Sequence, residues 1–150
     1  MEAYLYRQIP LSCSMGVRVI RVSDAEVELE IPLEPNINHR RTVFGGSAAA
    51  AATLAAWAVL WHRLKEHPRR PELVIQANRM QYLLPIYGAF TARTLPVDNA
   101  AWNRFVSAIE RKGRARIDVS SSLEFRGHRC GLFSGTFVAL VEDCEASANQ

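Results

Sequence analysis

The residues best suited to chemistry lie in one polar stretch from Asn36 to Ser47, which reads NINHRRTVFGGS. Two asparagines and a histidine precede the Gly45-Gly46 pair, and an alanine-rich, almost uncharged run follows it. A helix that begins at this pair presents unpaired backbone N–H groups and the positive end of its dipole, which favour an anion. The stretch therefore predicts a site for a negatively charged oxygen, including an oxyanion that develops during a reaction.

The element that must position this site is the run from Ala48 to Trp61, in which nearly every side chain is apolar. Because no face is left for water, the run predicts a helix buried inside the domain. It is shorter than the roughly 20 apolar residues of a bilayer span, and Thr53 interrupts it. We therefore expect no membrane association. The alanines at 48–52 make the helix thin, so that surrounding backbone can approach closely.

The composition of the 150-residue chain limits the class of protein. Hydrophobic residues make up 49% and charged residues 22%, which predicts one globular domain over residues 1–150. The net charge of +3 is small and the basic residues are scattered, so we expect no nucleic-acid partner. The three cysteines have no CxxC spacing, which predicts reduced thiols. The N-terminal residues do not have the pattern of a signal peptide, so we expect a cytoplasmic protein. The four widely spaced histidines predict no metal site, and no cofactor motif is present.

Hydrophobic periodicity and turn residues predict three helices, each followed by a pair of strands. In chain order we predict a short helix at 2–9, strands at 15–22 and 26–31, the central helix, strands at 73–84 and 88–97, a helix at 98–113, and strands at 114–126 and 130–141. Turns at 85–88 and 127–128 are predicted to close hairpins, and the tail from Glu142 is expected to fray. The pattern predicts an α+β domain whose curved antiparallel sheet wraps the central helix, with glutamate and arginine rows paired across its outer face.

Four motifs resemble those of a known family. They are N-x-N-H-x-x-T-x-F-G-G-S at 36–47, Y-L-x-P at 82–85, K-G-R-A-R-I at 112–117 and G-x-F-x-G-x-F-V-A at 131–139. Together they resemble the hotdog-fold thioesterases, and most closely the YiiD-type thioesterase domain. The resemblance implies a hotdog fold, an acyl-CoA or acyl-carrier thioester as substrate, and a homodimer that can pair into a tetramer. It also implies a site at the subunit interface beside the N-terminus of the central helix.

The resemblance assigns roles to individual residues. In the related enzymes an asparagine seven positions before the first glycine orients water or substrate, and Asn38 holds that position. The N–H of Gly45 is implied to polarise the thioester carbonyl, while Gly46 permits close approach. Two positions depart from the pattern: Phe44 replaces the histidine before the glycines, and Thr53 replaces the catalytic carboxylate.

The missing carboxylate leaves the general base open, because hydrolysis of a thioester by water requires a group that takes a proton. A threonine hydroxyl cannot do so at neutral pH. His39 is the nearest candidate, since imidazole exchanges protons near neutrality, although it also suits a surface or loop-anchoring role. Asp24 and Asp98, from this chain or a partner, are weaker candidates.

The remaining candidates are expected to bind the substrate or to serve the fold. Arg40 and Arg41 suit the phosphates of the carrier. For Asn36 and Asn38, the alternative to a role in the site is the formation of turns. For Thr53, the alternative is a hydroxyl that donates a hydrogen bond to the backbone carbonyl four residues earlier. The other substrate-binding candidates are Phe44, Trp57, Gln76 and Asn78. Trp57 is expected in the core, whereas the two amides lie in a strand predicted to be buried and would need partners there.

Three functions fit the sequence. The first is a thioesterase that uses Gly45 and Gly46 for the oxyanion and Asn38 for the water. The second is a non-catalytic domain that binds an acyl thioester, which the missing carboxylate favours. The third, an enoyl-thioester hydratase or dehydratase, ranks last because residues 36–64 contain no aspartate or glutamate.

Overall fold

The computed structural model describes residues 1–141. They form four α-helices and six strands: α1 (Glu2–Gln8), α2 (Pro10–Ser14), β1 (Arg18–Val22), β2 (Val27–Ile31), α3 (Gly45–Leu64), β3 (Glu72–Tyr82), β4 (Phe90–Thr94), α4 (Asn99–Lys112), β5 (Arg114–Phe125) and β6 (His128–Leu140). A 3₁₀ turn at Glu34–Asn36 precedes the polar loop. None of the helices of residues 1–141 is long and apolar enough to cross a membrane. The predicted fraying from Glu142 concerns residues outside those described.

The strands form one antiparallel sheet in the order β1-β2-β4-β5-β6-β3. Helix α3 packs against β2, β3, β4, β5 and β6, so the sheet curves around it as predicted. Alternation explains the packing of the strands: Val27, Leu29 and Ile31 of β2 are fully buried, while the glutamates between them are only half-buried. The predicted buried helix is therefore the centre of the core.

Helix α4 ends where its sequence predicts. The Asp98 carboxylate accepts a hydrogen bond from the Ala101 N–H at 2.7 Å, which caps the first turn. Gly113 follows the last residue with φ at 66°, a left-handed conformation that glycine adopts without strain. Phe105 and Ile109 form the buried part of the apolar stripe. The signals that set the two ends of this helix are thus local in the sequence.

The predicted hairpin between residues 73–84 and 88–97 is wrong. Strand β3 pairs with β6, whereas β4 pairs with β2 and β5. The segment between β3 and β4 crosses the end of the sheet: the N–H groups of Leu83 and Leu84 bond to the Cys130 carbonyl at 2.8 and 3.1 Å. The order of strands in the sheet depends on which apolar rows pack on α3. The proline and glycine at 85–88 therefore indicate that the chain changes direction, but they do not specify which strands β3 and β4 pair with.

Strand β3 is also not the buried strand that was expected. It lies at the edge of the sheet, and most of its residues are exposed, including Gln76 and Asn78. A bulge interrupts its pairing with β6 between Ile75 and Ala77. Because β6 occupies one side of β3 only, the amides are in contact with solvent and need no buried partner.

The outer face of the sheet carries pairs of opposite charge, but the arginine row of the strand at 114–126 is not the partner of the glutamates, because β4 lies between β2 and β5. Glu28 lies 2.9 Å from Arg93 of β4, and Glu30 lies 2.9 Å from Arg18 of β1. The partners of the glutamate row are thus the arginines of the two adjacent strands. Each exposed pair adds only a few tenths of a kcal/mol.

Candidate active site

Asn36 anchors the loop that leads to the site. Its side chain is buried, and its Nδ2 donates to the carbonyls of Met15 at 2.9 Å and Pro32 at 2.8 Å. Its own backbone carbonyl accepts the Phe44 N–H at 2.7 Å. One residue therefore ties the end of α2, the end of β2 and the residue before α3 together. This fixes where the first turn of α3 begins.

Asn38 closes a tight turn within the same loop. Its Oδ1 accepts the N–H groups of Arg40 at 2.8 Å and Thr42 at 3.2 Å, and its Nδ2 donates to the Thr42 hydroxyl at 2.9 Å. These are the bonds of an asparagine that forms a turn. His39, Arg40 and Arg41 are exposed at the tip, and Arg41 has φ at 61°, which is uncommon for a residue other than glycine.

The first turn of α3 keeps its backbone donors free. Phe44 precedes the helix and provides no side-chain cap, so the N–H groups that begin at Gly45 have no partner within the helix. The Tyr82 hydroxyl donates to the Gly45 carbonyl at 3.0 Å. A Cβ on Gly46 would lie 2.3 Å from the Phe44 ring. Absence of side chains at both glycines thus lets two aromatic rings stand against the helix end.

A cleft of about 340 Å³ opens beside Gly45. Its walls include Val43, Ala48, Tyr82, Ile86 and Cys130. Burial raises the pKa of the Cys130 thiol, so the thiol stays protonated at neutral pH and is a poor nucleophile. The cleft therefore offers backbone donors and an apolar wall rather than a covalent nucleophile.

Helix α3 is not buried on every side, contrary to expectation. Between Ala48 and Leu60, four residues are only half-buried and lie on one face: Ala49, Ala50, Thr53 and Trp57. The Thr53 hydroxyl donates to the Ala49 carbonyl at 2.8 Å, which confirms the predicted bond four residues back. Trp57 lies at the edge of the core, and its indole N–H donates to the Leu73 carbonyl at 3.1 Å.

An apolar pocket of about 260 Å³ lies along this face, between α3, α2 and β3. Thr53 and Trp57 form one wall, and Met15, Ile75 and Phe137 contribute others. The pocket starts at Ala50, four residues after Gly46 and about 6 Å along the helix. Gly46, Ala50 and Trp57 recur at helical spacing, so the N–H of Gly46 lies at the N-terminal end of the helix face that borders this pocket. The cleft beside Gly45 shares no lining residue with the pocket.

The two candidate aspartates lie elsewhere. Asp24 is 3.4 Å from His62, near the C-terminal end of α3, and Asp98 caps α4. Within residues 1–141, no carboxylate lines either the cleft or the apolar pocket. A carboxylate base is thus not supplied to these cavities by the described part of one chain.

Tyr82 is the site residue that sequence analysis missed. It belongs to the Y-L-x-P motif, which supported the family resemblance but supplied no candidate site residue, and its ring lies 3.5 Å from the position of a Cβ on Gly45. The two residues are 37 positions apart in the chain. The motif itself was the available signal, but only the pairing of β3 at the sheet edge brings Tyr82 to α3.

The sheet order and the long central helix define a hotdog fold. The chain belongs to the family described as "Putative thioesterase (yiiD_Cterm)", whose model matches residues 1–141. The fold and the family that the motifs indicated are therefore confirmed.

Solved structures resemble the chain over nearly its whole length. A protein of unknown function from Chlorobaculum tepidum TLS is 28% identical, with a TM-score of 0.87 over 94% of this chain and 92% of that one. A putative thioesterase from Shewanella oneidensis is 24% identical, with a TM-score of 0.82 over 93% and 94%. A thioesterase from Haemophilus influenzae is 13% identical, with a TM-score of 0.73 over 97% and 94%. The last two comparisons support the fold.

Proposed function

We propose that the protein is a thioesterase that hydrolyses the thioester of an acyl-CoA or acyl-carrier substrate. The observation that carries the proposal is the uncapped first turn of α3 at the mouth of a cleft, where the Gly45 N–H has no partner within the helix. Such a donor stabilises the oxyanion of acyl transfer, and removal of one donor typically costs 10²–10³ in rate.

The proposed reaction follows from this geometry. The carbonyl oxygen of the thioester accepts the Gly45 N–H, and water attacks the carbonyl carbon to form a tetrahedral oxyanion. The C–S bond then breaks, and the leaving thiolate takes up the proton that the base removed from the water, so a carboxylic acid and a free thiol are released. We assign proton removal to His39, at the tip of the turn that Asn38 closes. Thr53 is a less suitable donor to the water because its hydroxyl already bonds to Ala49.

Positive charge on the segments that lead to the cleft supports an anionic carrier such as CoA. Four arginines of the polar loop and of the β5–β6 hairpin are exposed: Arg40, Arg41, Arg126 and Arg129. The polar loop is joined to the β3–β4 connection through Val43 N–H and the Ile86 carbonyl at 2.9 Å. That connection is joined in turn to β6 at Cys130, one residue from Arg129. The only carboxylate directly opposite these arginines in the described pairing is Glu124, so phosphates of the carrier are favoured at this end.

A homodimer formed through β3 is part of the proposal. The free edge of β3 is 11 residues long, and it exposes Val74 and Ile75 at 47% and 37%. An unpaired edge with apolar side chains is a template for a second strand. Antiparallel pairing of β3 with its copy extends the sheet across two subunits and brings a second chain beside Tyr82 and the α3 stripe.

Charge at the middle of this edge is expected to control both assembly and turnover. Ala77 is exposed near the centre of β3, so Ala77→Asp places like charges close together across the two-fold axis. We expect Ala77→Asp and Ala77→Lys each to sediment as monomers with at least tenfold lower turnover. An equimolar mixture should recover the dimer and activity, because opposite charges then meet. Monomers with full activity would show that the site needs no second subunit.

A second function is favoured by one observation. Because no carboxylate of residues 1–141 lines the cleft, a domain that binds acyl thioesters without hydrolysis also fits. Release of free thiol from short, medium, long and aromatic acyl-CoAs tests the first function. Thermal stabilisation by an acyl-CoA that remains intact after long incubation would instead support the binding domain.

A further inference from the structure

The apolar pocket beside Thr53 has the properties of a site for a hydrocarbon chain. Its walls are hydrophobic, with Ile9, Leu11 and Met15 on one side and Ile75 and Phe137 on the other. The Thr53 hydroxyl adds little polarity, because its proton is donated to the Ala49 carbonyl. Apolar pockets with few polar groups bind the apolar parts of small ligands.

Trp57 ends this pocket as a rigid wall. Its indole N–H is held by the Leu73 carbonyl, and its ring stacks on Trp61 with centroids 6.1 Å apart. Trp61 is stacked in turn on Tyr4 at 4.2 Å. Beyond Trp57 lies a larger groove of about 650 Å³, which Trp57 and Ile9 also line. Trp57 therefore stands between two cavities.

We propose that the pocket binds the acyl chain of the thioester and that Trp57 sets the longest chain it accepts. This inference rests on the proposed function, since the carbonyl must lie at Gly45 and Gly46. Trp57 is eleven residues after Gly46, which is about 16 Å along a helix. With C–C bonds near 1.5 Å, an extended chain advances roughly 1.3 Å per carbon, so about ten to twelve carbons reach the wall.

Binding of free saturated fatty acids with 6 to 16 carbons, measured by calorimetry below their micellar concentrations, tests the proposal. For the wild type, affinity is expected to rise about fourfold per added methylene and to level off near ten to twelve carbons. In Trp57→Ala the pocket joins the larger groove, so affinity should continue to increase for chains several carbons longer than the wild-type limit. Trp102→Ala is the matched control: it removes an equally large, half-buried ring on α4, and the limit should not move.

A second variant keeps the test decisive if Trp57→Ala does not fold. Ala50→Leu adds a side chain to the pocket wall, so the limit should shift to shorter chains and affinity for longer acids should fall at least tenfold. An unchanged limit in both variants would overturn the proposal. So would fatty-acid binding that weakens as protein concentration rises, because a second copy would then occupy the pocket.

The readouts separate this inference from the proposed function. If the protein releases thiol from acyl-CoAs but does not bind fatty acids, the proposed acyl-chain pocket is wrong and the proposed hydrolysis is unaffected. The same holds if the chain-length limit does not change when Trp57 is substituted. The expected binding limit without any hydrolysis would support the pocket and reject hydrolysis.

Discussion

Gly45→Pro is expected to lower kcat for thioester hydrolysis by about 10²–10³ while α3 remains folded. Proline removes only the N–H of this residue, and that N–H has no partner within the helix. The first helical position accepts proline without loss of a backbone hydrogen bond. Phe44, with φ at −64° and ψ at 134°, already has the extended conformation that a following proline requires.

Gly45→Ala is the matched control for this substitution. A Cβ at Gly45 would lie 3.5 Å from the Tyr82 ring, an ordinary van der Waals distance, so alanine should fit and keep the N–H. Turnover of the alanine variant should stay within a few-fold of the wild type. Thiol release gives kcat, and circular dichroism with thermal unfolding reports the fold. A folded proline variant with wild-type kcat would remove this N–H from the mechanism.

Asn36→Asp should destabilise the protein more than any other isosteric change in the loop. The substitution replaces the amide that donates to Met15 and Pro32 with an acceptor that faces both carbonyls in a buried place. We expect the free energy of unfolding at pH 7 to fall by roughly 3–5 kcal/mol. Because Asn36 also accepts the Phe44 N–H, loss of its position should reduce turnover as well.

The deficit of Asn36→Asp should depend on pH. Burial and the facing carbonyls raise the folded-state pKa of the new carboxyl, since its protonated form can donate to one of them. The variant is thus closest to the wild type below about pH 4, the ordinary range for aspartate, and loses stability as pH rises through the raised folded-state pKa. Urea unfolding of both proteins across pH 4–8 measures this difference.

Asn38→Asp is the control for Asn36→Asp. Asn38 is only half-buried, and its Oδ1 still accepts the N–H groups of Arg40 and Thr42 after the change. Only the donation from Nδ2 to the Thr42 hydroxyl and the Val43 carbonyl is lost, so we expect a loss of about 1–2 kcal/mol. Equal losses in the two variants, or a deficit of Asn36→Asp that does not vary with pH, would contradict the assignment of Asn36 as the buried anchor.

Elements whose signals are local could be predicted from the sequence. The capping aspartate and the terminal glycine gave the bounds of α4, and alternation gave β2 and β5. The pairing of β3 could not be predicted, because the turn at 85–88 carries no information about which strand lies beside Leu73 or Tyr82. That choice depends on long-range packing against α3.

The residues of the candidate site likewise fall into those with local sequence signals and those that long-range packing brings together. The polar loop and Gly45 are contiguous in sequence and next to a strong helix signal, so their juxtaposition was predictable. Tyr82 comes from a distant strand, and the apolar pocket is completed by Ile9 and Met15 from the N-terminal segment. The half-exposed stripe on α3 was also hidden, because Thr53 is the only hydroxyl-bearing or charged residue between Ala48 and Trp61 and one such side chain does not define the face that the sheet leaves uncovered.

The most direct test of the account is hydrolysis of medium-chain acyl-CoAs in ¹⁸O-labelled water, with free thiol and free acid measured together. Attack by water on a thioester held at Gly45 predicts equimolar thiol and acid, with one labelled oxygen in each acid molecule. The wild type should turn over repeatedly, and Gly45→Pro should release neither product at a comparable rate. Tight binding of intact acyl-CoA or of an acyl-carrier substrate, without release of thiol from either, would contradict the assignment as a thioesterase.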